Sequence, residues 1–418
     1  MAEHIDLPLH ISRKLGVPKH SFNIEKILRQ GLDLRKRNNP IYDYTVLIKF
    51  CDIAPHHADL LFFTNPPSPQ RPERKLSDPH PFIIGMGPAG LFCALAMVER
   101  GLSPYLFDQG DEVGIRAQKV NKFWQEGVLD EGSNVQFGEG GAGAFSDGKL
   151  TCRSRDADIE KIFAYLISFG ADPQIAYAAL PHLGTDGIRA IIARIRDFLV
   201  HKGCRFFYGH RFEDLALHHN RIAKISINGD NYEPELLIMA LGNSARQSFK
   251  LLHTKGFPLA AKPFAVGFRI EHEQDYIDKA IYGSDKWRKI LGPASYRLVD
   301  KSTGTYSFCM CPGGEVIASS SELGAIVTNG MSFGHRSGKY SNSAIVTAVN
   351  NADYGNGILD GMNFQRYHER NAFKDGYLAP IQAAVDFVNN TGNAGPKACT
   401  YRPGTYAADL NVFYSFEL

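Results

Sequence analysis

PFIIGMGPAGLFCALAMVERGLSPYLFDQG, residues 81–110, carries the decision about the fold. Phe82-Ile83-Ile84 is a short apolar run that passes directly into Gly85-Met-Gly87-Pro-Ala-Gly90. From Pro88 to Arg100, Leu91, Leu95 and Val98 recur on one side at helical spacing, and Gly101 closes the helix. Pro104–Phe107 reads as a second strand, and Asp108 ends it 23 residues after Gly85. Strand, glycine turn, helix and strand in that order open a doubly wound parallel sheet. A lone GxGxxG says little, but here its context is met at every point. Gly85 makes the tight turn, Gly87 places no Cβ before a pyrophosphate, and Gly90 lets helix and strand pack closely. The pyrophosphate of a dinucleotide would sit on the helix N-terminus, where unpaired N–H groups and the dipole favour negative charge. Asp108 would accept hydrogen bonds from ribose hydroxyls and repel a 2′-phosphate.

A second glycine motif follows. Residues 134–150 read NVQFGEGGAGAFSDGKL, with Gly138, Gly140, Gly141 and Gly143 inside six positions. So few side chains let the backbone approach a flat or anionic ligand and offer its N–H groups. Val135, Phe137, Phe145 and Leu150 bracket the loop and would anchor it in a core, while Ser146, Asp147 and Lys149 follow as polar handles. A dehydrogenase that uses nicotinamide alone has little need of a second glycine loop here; a flavin dinucleotide does. The third motif, ELLIMALGNSA at 235–245, runs a buried strand into a turn at Gly242, at the carboxyl edge of the sheet.

Further out, Ile159–Phe169 and Ile188–Leu199 have amphipathic helical spacing, the latter with Thr185 or Asp186 as N-cap. CRFFY, RIAKISI and ELLIMAL, broken by Asn220 and Asn228-Gly-Asp, predict a β-meander feeding a final buried strand. Residues 1–62 form a small basic module: Arg13–Arg37 holds eight Lys/Arg against two acids. Its spacing predicts a helix over Phe22–Leu32, capped by Ser21, and a strand over Tyr42–Phe50. The proline-rich stretch within 63–80 reads as a stiff exposed linker.

Glycine is in excess, 40 of 418 residues, against an average near ~7%. Hydrophobic residues at 44% and charged residues at 22% exclude a fibrous or largely disordered chain. The net charge of +2 provides no overall field for nucleic acid or anionic membranes, and a short charge run is more often a solvated face. No apolar run approaches the ~20 residues of a membrane span. The N-terminus has no signal-peptide pattern, and the seven scattered cysteines include no CxxC pair. A cytoplasmic protein with reduced thiols is expected, without metal and without a membrane or nucleic-acid partner. The His56/His57 and His218/His219 pairs lack a third ligand.

These motifs together resemble the FAD-dependent, NAD(FAD)-utilising dehydrogenase-like flavoproteins of the glutathione-reductase-type Rossmann class. The likeness runs from about Lys14 to about Leu410 through IIGMGPAGLF (83–92), VQFGEGGAGAFSDGKLT (135–151), HLGTDGIRAII (182–192), LIMALGNSAR (237–246), KPFAVGFRIEH (262–272), FCMCPGGEVIASSSELGAIVTNGMS (308–332) and YRPGTYAADL (401–410). GxGxxG is shared by the whole class, whereas the second glycine loop and FCMCPGG are specific to the family. The resemblance implies FAD held by Gly85, Gly87, Pro88, Ala89, Gly90, Asp108 and the loop 138–143. The expected fold is α/β: an FAD-binding Rossmann-type domain over 81–246, an inserted α+β substrate lobe over 247–400, a return over 401–418, and the small basic N-terminal α/β module. Asp147, Lys149 and Gly242 complete the expected cofactor-binding set. Family members continue beyond YRPG…ADL with a glycine-rich closing segment, whereas residues 411–418 here read NVFYSFEL. A C-terminally truncated version with weakened FAD retention is therefore expected.

No second GxGxxG is present, so any NAD(P)H would bind transiently. In the expected substrate lobe, Cys309-Met-Cys311 is a candidate redox pair, although a C-x-C spacing strains a disulfide and an inert reading is favoured. Arg269, Glu271, His272, His335, Arg336 and Arg402 are candidates for binding an anionic small-molecule substrate or moving a proton. The expected function is an FAD-dependent oxidoreductase exchanging hydride with an organic substrate. The alternative is a non-enzymatic flavin-binding scaffold or inactive remnant whose basic N-terminal module binds a partner or nucleic acid.

Overall fold

The computed structural model describes residues 6–36, 40–64, 75–151, 156, 158–373, 375–391, 399–401 and 406–408. Much of the proline-rich linker, Cys152, Arg402 and the terminal stretch 411–418 lie outside them, and so does the expectation of a shortened C-terminus. The chain divides into two compact units, one of residues 1–74, 149–182 and 278–294, the other of 75–148, 183–277 and 295–418.

In the first unit, the helix Leu7–Leu15 is capped by the Asp6 carboxylate on Leu9 N and ends at Gly16, with φ +67°. Strands β1 (Phe22–Asp33) and β2 (Ile41–Phe50) form an antiparallel hairpin. The helix expected over Phe22–Leu32 is therefore a strand. The cause lies in two register shifts, one between Ile24 and Lys26 and one between Ile27 and Arg29. Each bulge inserts an extra residue, so Ile24 and Ile27, three apart, both pair with apolar residues of β2, Ile48 and Val46. A three-residue apolar spacing thus imitates a helix.

The second unit is built on a parallel sheet, as the opening motif predicts, and that sheet has four strands. β3 (Phe82–Ile84), β4 (Tyr105–Phe107), β5 (Arg205–Phe207) and β9 (Leu237–Met239) lie parallel in the order β5-β4-β3-β9. Their near-continuous apolar runs suit strands covered on both faces. On one face Phe82, Ile84 and Phe107 join Phe212, Leu215, Ile225 and Ile227 in a core cluster. The last four come from an antiparallel meander of β6 (Phe212–His218), β7 (Arg221–Ile227) and β8 (Asp230–Tyr232). Phe107 stacks on Phe82 at 5.0 Å and on Phe207 at 4.6 Å. Ile83 and Leu106, fully buried, alternate to the other face. There Ile83 meets the helix Pro88–Val98, because a Cβ on Gly90 would stand 3.3 Å from its Cγ2. Each such side chain contributes about 1.5–3 kcal/mol on burial. β9 is half-buried rather than buried, because it ends the sheet.

The helix expected from Ile188 begins a turn earlier and spans Gly184–His201, with Leu183 as N-cap. Thr185 and Asp186 are thus inside its first turn. Thr185 Oγ1 donates to Ala144 O at 2.7 Å, and Asp186 accepts from Gly334 N. The rest of the unit is α+β. Strands Phe264–Glu273, Tyr340–Val349, Thr305–Cys311 and Val299–Asp300 form an antiparallel sheet in that order. Glu315–Ala318 pairs with Thr328–Met331, and the helix Asp360–Asn371 follows. No helix among the described residues is long and apolar enough to cross a membrane.

Candidate functional site

The glycine turn at the end of β3 is locked by close backbone approach. Gly85, at φ +104°, would place a Cβ 2.2 Å from Ala240 O, and a Cβ on Gly90 would lie 2.0 Å from Gly85 O. Gly87 differs: it is the N-cap of the helix Pro88–Val98, with φ −69° and no side-chain cap. Pro88 and Ala89 are exposed, so this helix N-terminus opens outward with its N–H groups uncapped by any side chain. Asp108 lies beside the turn and is 9% exposed. Its Oδ2 accepts from Met86 N at 2.8 Å and its Oδ1 from Gly110 N at 2.9 Å. Burial pushes this carboxyl up, while the N–H groups of Met86, Gly110 and Gly138 and the charge of Arg116 act in the opposite direction.

The second glycine loop packs against the first. Gly140 N donates to Met86 O at 2.8 Å, and a Cβ on Gly141 would stand 3.3 Å from the Cα of Gly87. Gly138 and Gly140 have φ of +113° and +85°. At Gly143 nothing lies within 4 Å of an added Cβ. The third motif joins as well: Ser244 Oγ donates to Gln136 Oε1 at 3.1 Å, and Gln136 Nε2 donates to Ser319 O. Gly242, exposed and at φ +75°, forms the turn between β9 and Ser244.

Arg116, which sequence reasoning missed, holds the loop in shape. Its guanidinium donates to the carbonyls of Asn134, Val135, Gly138, Glu139 and Gly141, at 2.6–3.4 Å. The side chain is 0% exposed, and burial draws its pKa down to about 9 against the charges of Asp108 and Glu139. Arg116 and Arg189 lie over the Phe145 ring, at 4.8 and 4.1 Å from its centroid. Glu139, fully buried inside the glycine run, accepts from Val113 N, Tyr208 Oη and Arg196. Burial is the main cause that raises its carboxyl. A signal for Arg116 existed. In the helix Val113–Glu126 the buried positions are Val113, Arg116, Val120, Phe123 and Trp124, so this arginine stands in an apolar stripe.

Asp147 is engaged elsewhere. Its carboxylate accepts from Ser332 Oγ and from Arg336, whose Nε lies 3.0 Å away, which ties 146–148 to the segment 332–336. Lys149 belongs to the smaller unit, in an isolated bridge with His182. Cys309 and Cys311 form no disulfide: Cys309 has φ +48°, and the Cys311 thiol donates to Cys309 O at 3.2 Å. Glu271 accepts from Thr400, and His272 is hydrogen-bonded to Tyr296 and Ser341, each at 2.8 Å. Burial draws His272 below its ordinary value.

Open helix terminus, bare Gly87 and a backbone-lined second loop fit the pyrophosphate and ring system of a flavin dinucleotide. Residues 263–417 match a family described as FAD-dependent protein, C-terminal domain-like. An uncharacterized protein of Clostridium beijerinckii is 37% identical over 396 residues, which cover 91% of this chain and 74% of that one. Among solved structures, a GidA-related protein from Thermus thermophilus is 14% identical over 46% of this chain and 74% of its own, with a TM-score of 0.27. CtdE in complex with FAD is 11% identical over 65% and 60%, with a TM-score of 0.26. A ferredoxin reductase from Rhodopseudomonas palustris is 15% identical over 43% of this chain and only 28% of its own, with a TM-score of 0.18.

Proposed function

Because this chain belongs to the family of FAD-dependent proteins, we propose that it is an oxidoreductase exchanging hydride between an organic substrate and FAD. The observation that carries this reading is the contact between two glycine loops at Gly140 N and Met86 O, beside an open helix N-terminus. FAD, when bound, supplies a two-electron acceptor. The chain's own residues supply binding and orientation. The N–H groups at Ala89 and Gly90 would receive the pyrophosphate, with Gly87 leaving room for it. The Asp108 carboxylate, held by backbone N–H groups of Met86, Gly110 and Gly138, would also accept from a ribose hydroxyl. Arg116 fixes the carbonyls of the second loop, so its glycines keep one shape against the cofactor. A reduced nicotinamide would serve as a transient donor.

The test is the visible spectrum of purified protein after extensive dialysis, followed by anaerobic addition of NADH or NADPH. Stoichiometric flavin that bleaches with either donor is expected. A colourless protein that takes up no added FAD would overturn the reading.

A further inference from the structure

The second half of the larger unit carries an open cavity of about 390 Å³, within the range of small-molecule sites. Its walls are mainly apolar, among them Val316, Ile326, Val346 and Pro380. Three charged side chains reach it: Arg269, Glu271 and Glu369. Glu369 is neutralised, because Arg246 donates to both of its oxygens at 2.6 and 2.8 Å. Arg246 also meets Glu322, which takes Arg366, so this group of two arginines and two glutamates carries no net charge. Glu271 accepts from Thr400, and burial favours its neutral form despite the nearby Arg269.

Arg269 is the exception. Its Nε donates to Asn342 Oδ1 at 2.8 Å, and its Nη2 to Cys309 O at 2.9 Å, with the Cys311 sulfur at 3.7 Å. All of these acceptors are uncharged. Among the described residues no carboxylate lies within ion-pair distance of this half-buried guanidinium. This half-buried guanidinium keeps N–H donors beyond those two bonds, its charged neighbour Glu271 is one that burial pushes toward the neutral form, and its planar fork matches a carboxylate in bidentate fashion. The strand that gives Val316 to the cavity wall runs on to carbonyls that hold the first half of the unit. Val316 lines it from the strand Glu315–Ala318, while Trp124 holds Ala318 O and Gln136 holds Ser319 O.

We propose that this cavity is the substrate pocket and that it takes a small organic carboxylate, its charge on Arg269 and its apolar body against Val316, Ile326 and Val346. The assignment as substrate pocket rests on the oxidoreductase reading; the carboxylate selectivity does not.

Calorimetric titration of the full chain with hexanoate, hexanamide and hexylamine tests it, with flavin content measured on the same samples. Hexanoate is expected to bind about tenfold or more tightly than either neutral or cationic analogue. Arg269→Gln should abolish that preference, and Ala344→Phe, which adds a ring on the cavity wall, should weaken hexanoate at least tenfold. Equal binding of hexanoate and hexanamide, no binding of hexanoate, or undiminished hexanoate binding in a folded Ala344→Phe protein would each overturn the proposal. Protein that retains flavin but ignores hexanoate defeats this inference alone. Protein that binds hexanoate but never flavin defeats the cofactor reading and leaves the anion pocket standing.

Discussion

Gly85 and Gly87 are two positions apart, yet a methyl group would meet opposite surroundings at them. At Gly85 it would press on Ala240 O at 2.2 Å, on a backbone with φ +104°. At Gly87, with φ −69°, its only neighbour within 4 Å is the Cα of Gly141, at 3.9 Å. Gly85→Ala is therefore expected to lose about 1–3 kcal/mol from backbone strain alone. Gly87→Ala should stay within about 1 kcal/mol of the parent protein while its flavin occupancy falls. Urea unfolding and the absorbance of dialysed protein check the pair; a Gly87→Ala protein as yellow as its parent would move the pyrophosphate elsewhere. The sequence rule assigned these glycines their roles by residue type, and the close approaches at Gly85 and Gly90 match it. The rule could not reveal what Asp108 does for the backbone. Its bonds to Met86 N and Gly110 N depend on how two turns curl toward each other, which no spacing encodes.

The helix Val113–Glu126 and the loop it serves act as one piece through Arg116. Arg116→Met would leave up to five buried carbonyls without this donor. At about 1–3 kcal/mol per unsatisfied buried group, the expected loss is about 3 kcal/mol or more after local relaxation. Arg116→Lys, which keeps the charge but not the fork, should recover part of it. Chemical denaturation of both variants decides; parent-like stability for Arg116→Met would show that water replaces the guanidinium freely. Pattern reading passes over such a residue because an arginine at a helical position normally marks the solvent side. At β1 it fails for a different reason: two bulges alter the period by which strands are recognised. Where the period is undisturbed, as at β3, β4 and the helix between them, the sequence is read correctly to within a residue or two.

Across the molecule, burial holds Asp108, Glu139 and Glu271 above the ordinary carboxyl range. A raised folded-state pKa means that the folded protein binds the proton more tightly than the unfolded chain. These groups therefore cost stability as pH rises from the unfolded value, about 4, through the folded one. Glu139→Gln removes one of the three, so its melting temperature should decline less steeply than that of the parent as pH rises above about 4. Superimposable profiles would rule out Glu139 as a source of the dependence. By itself the sequence determined the parallel sheet, its glycine turn and the second glycine loop, and it pointed to a dinucleotide as the ligand to look for. Those follow from local rules: apolar period, turn chemistry, and the need to clear Cβ atoms from a phosphate. Only the tertiary structure decided that Gly140 meets Met86, that Asp147 is taken by Arg336, and that Arg269 donates to the neutral acceptors Asn342 Oδ1 and Cys309 O. These outcomes depend on which segments distant in the chain become neighbours, and a buried charge is defined by those neighbours rather than by its own place in the sequence.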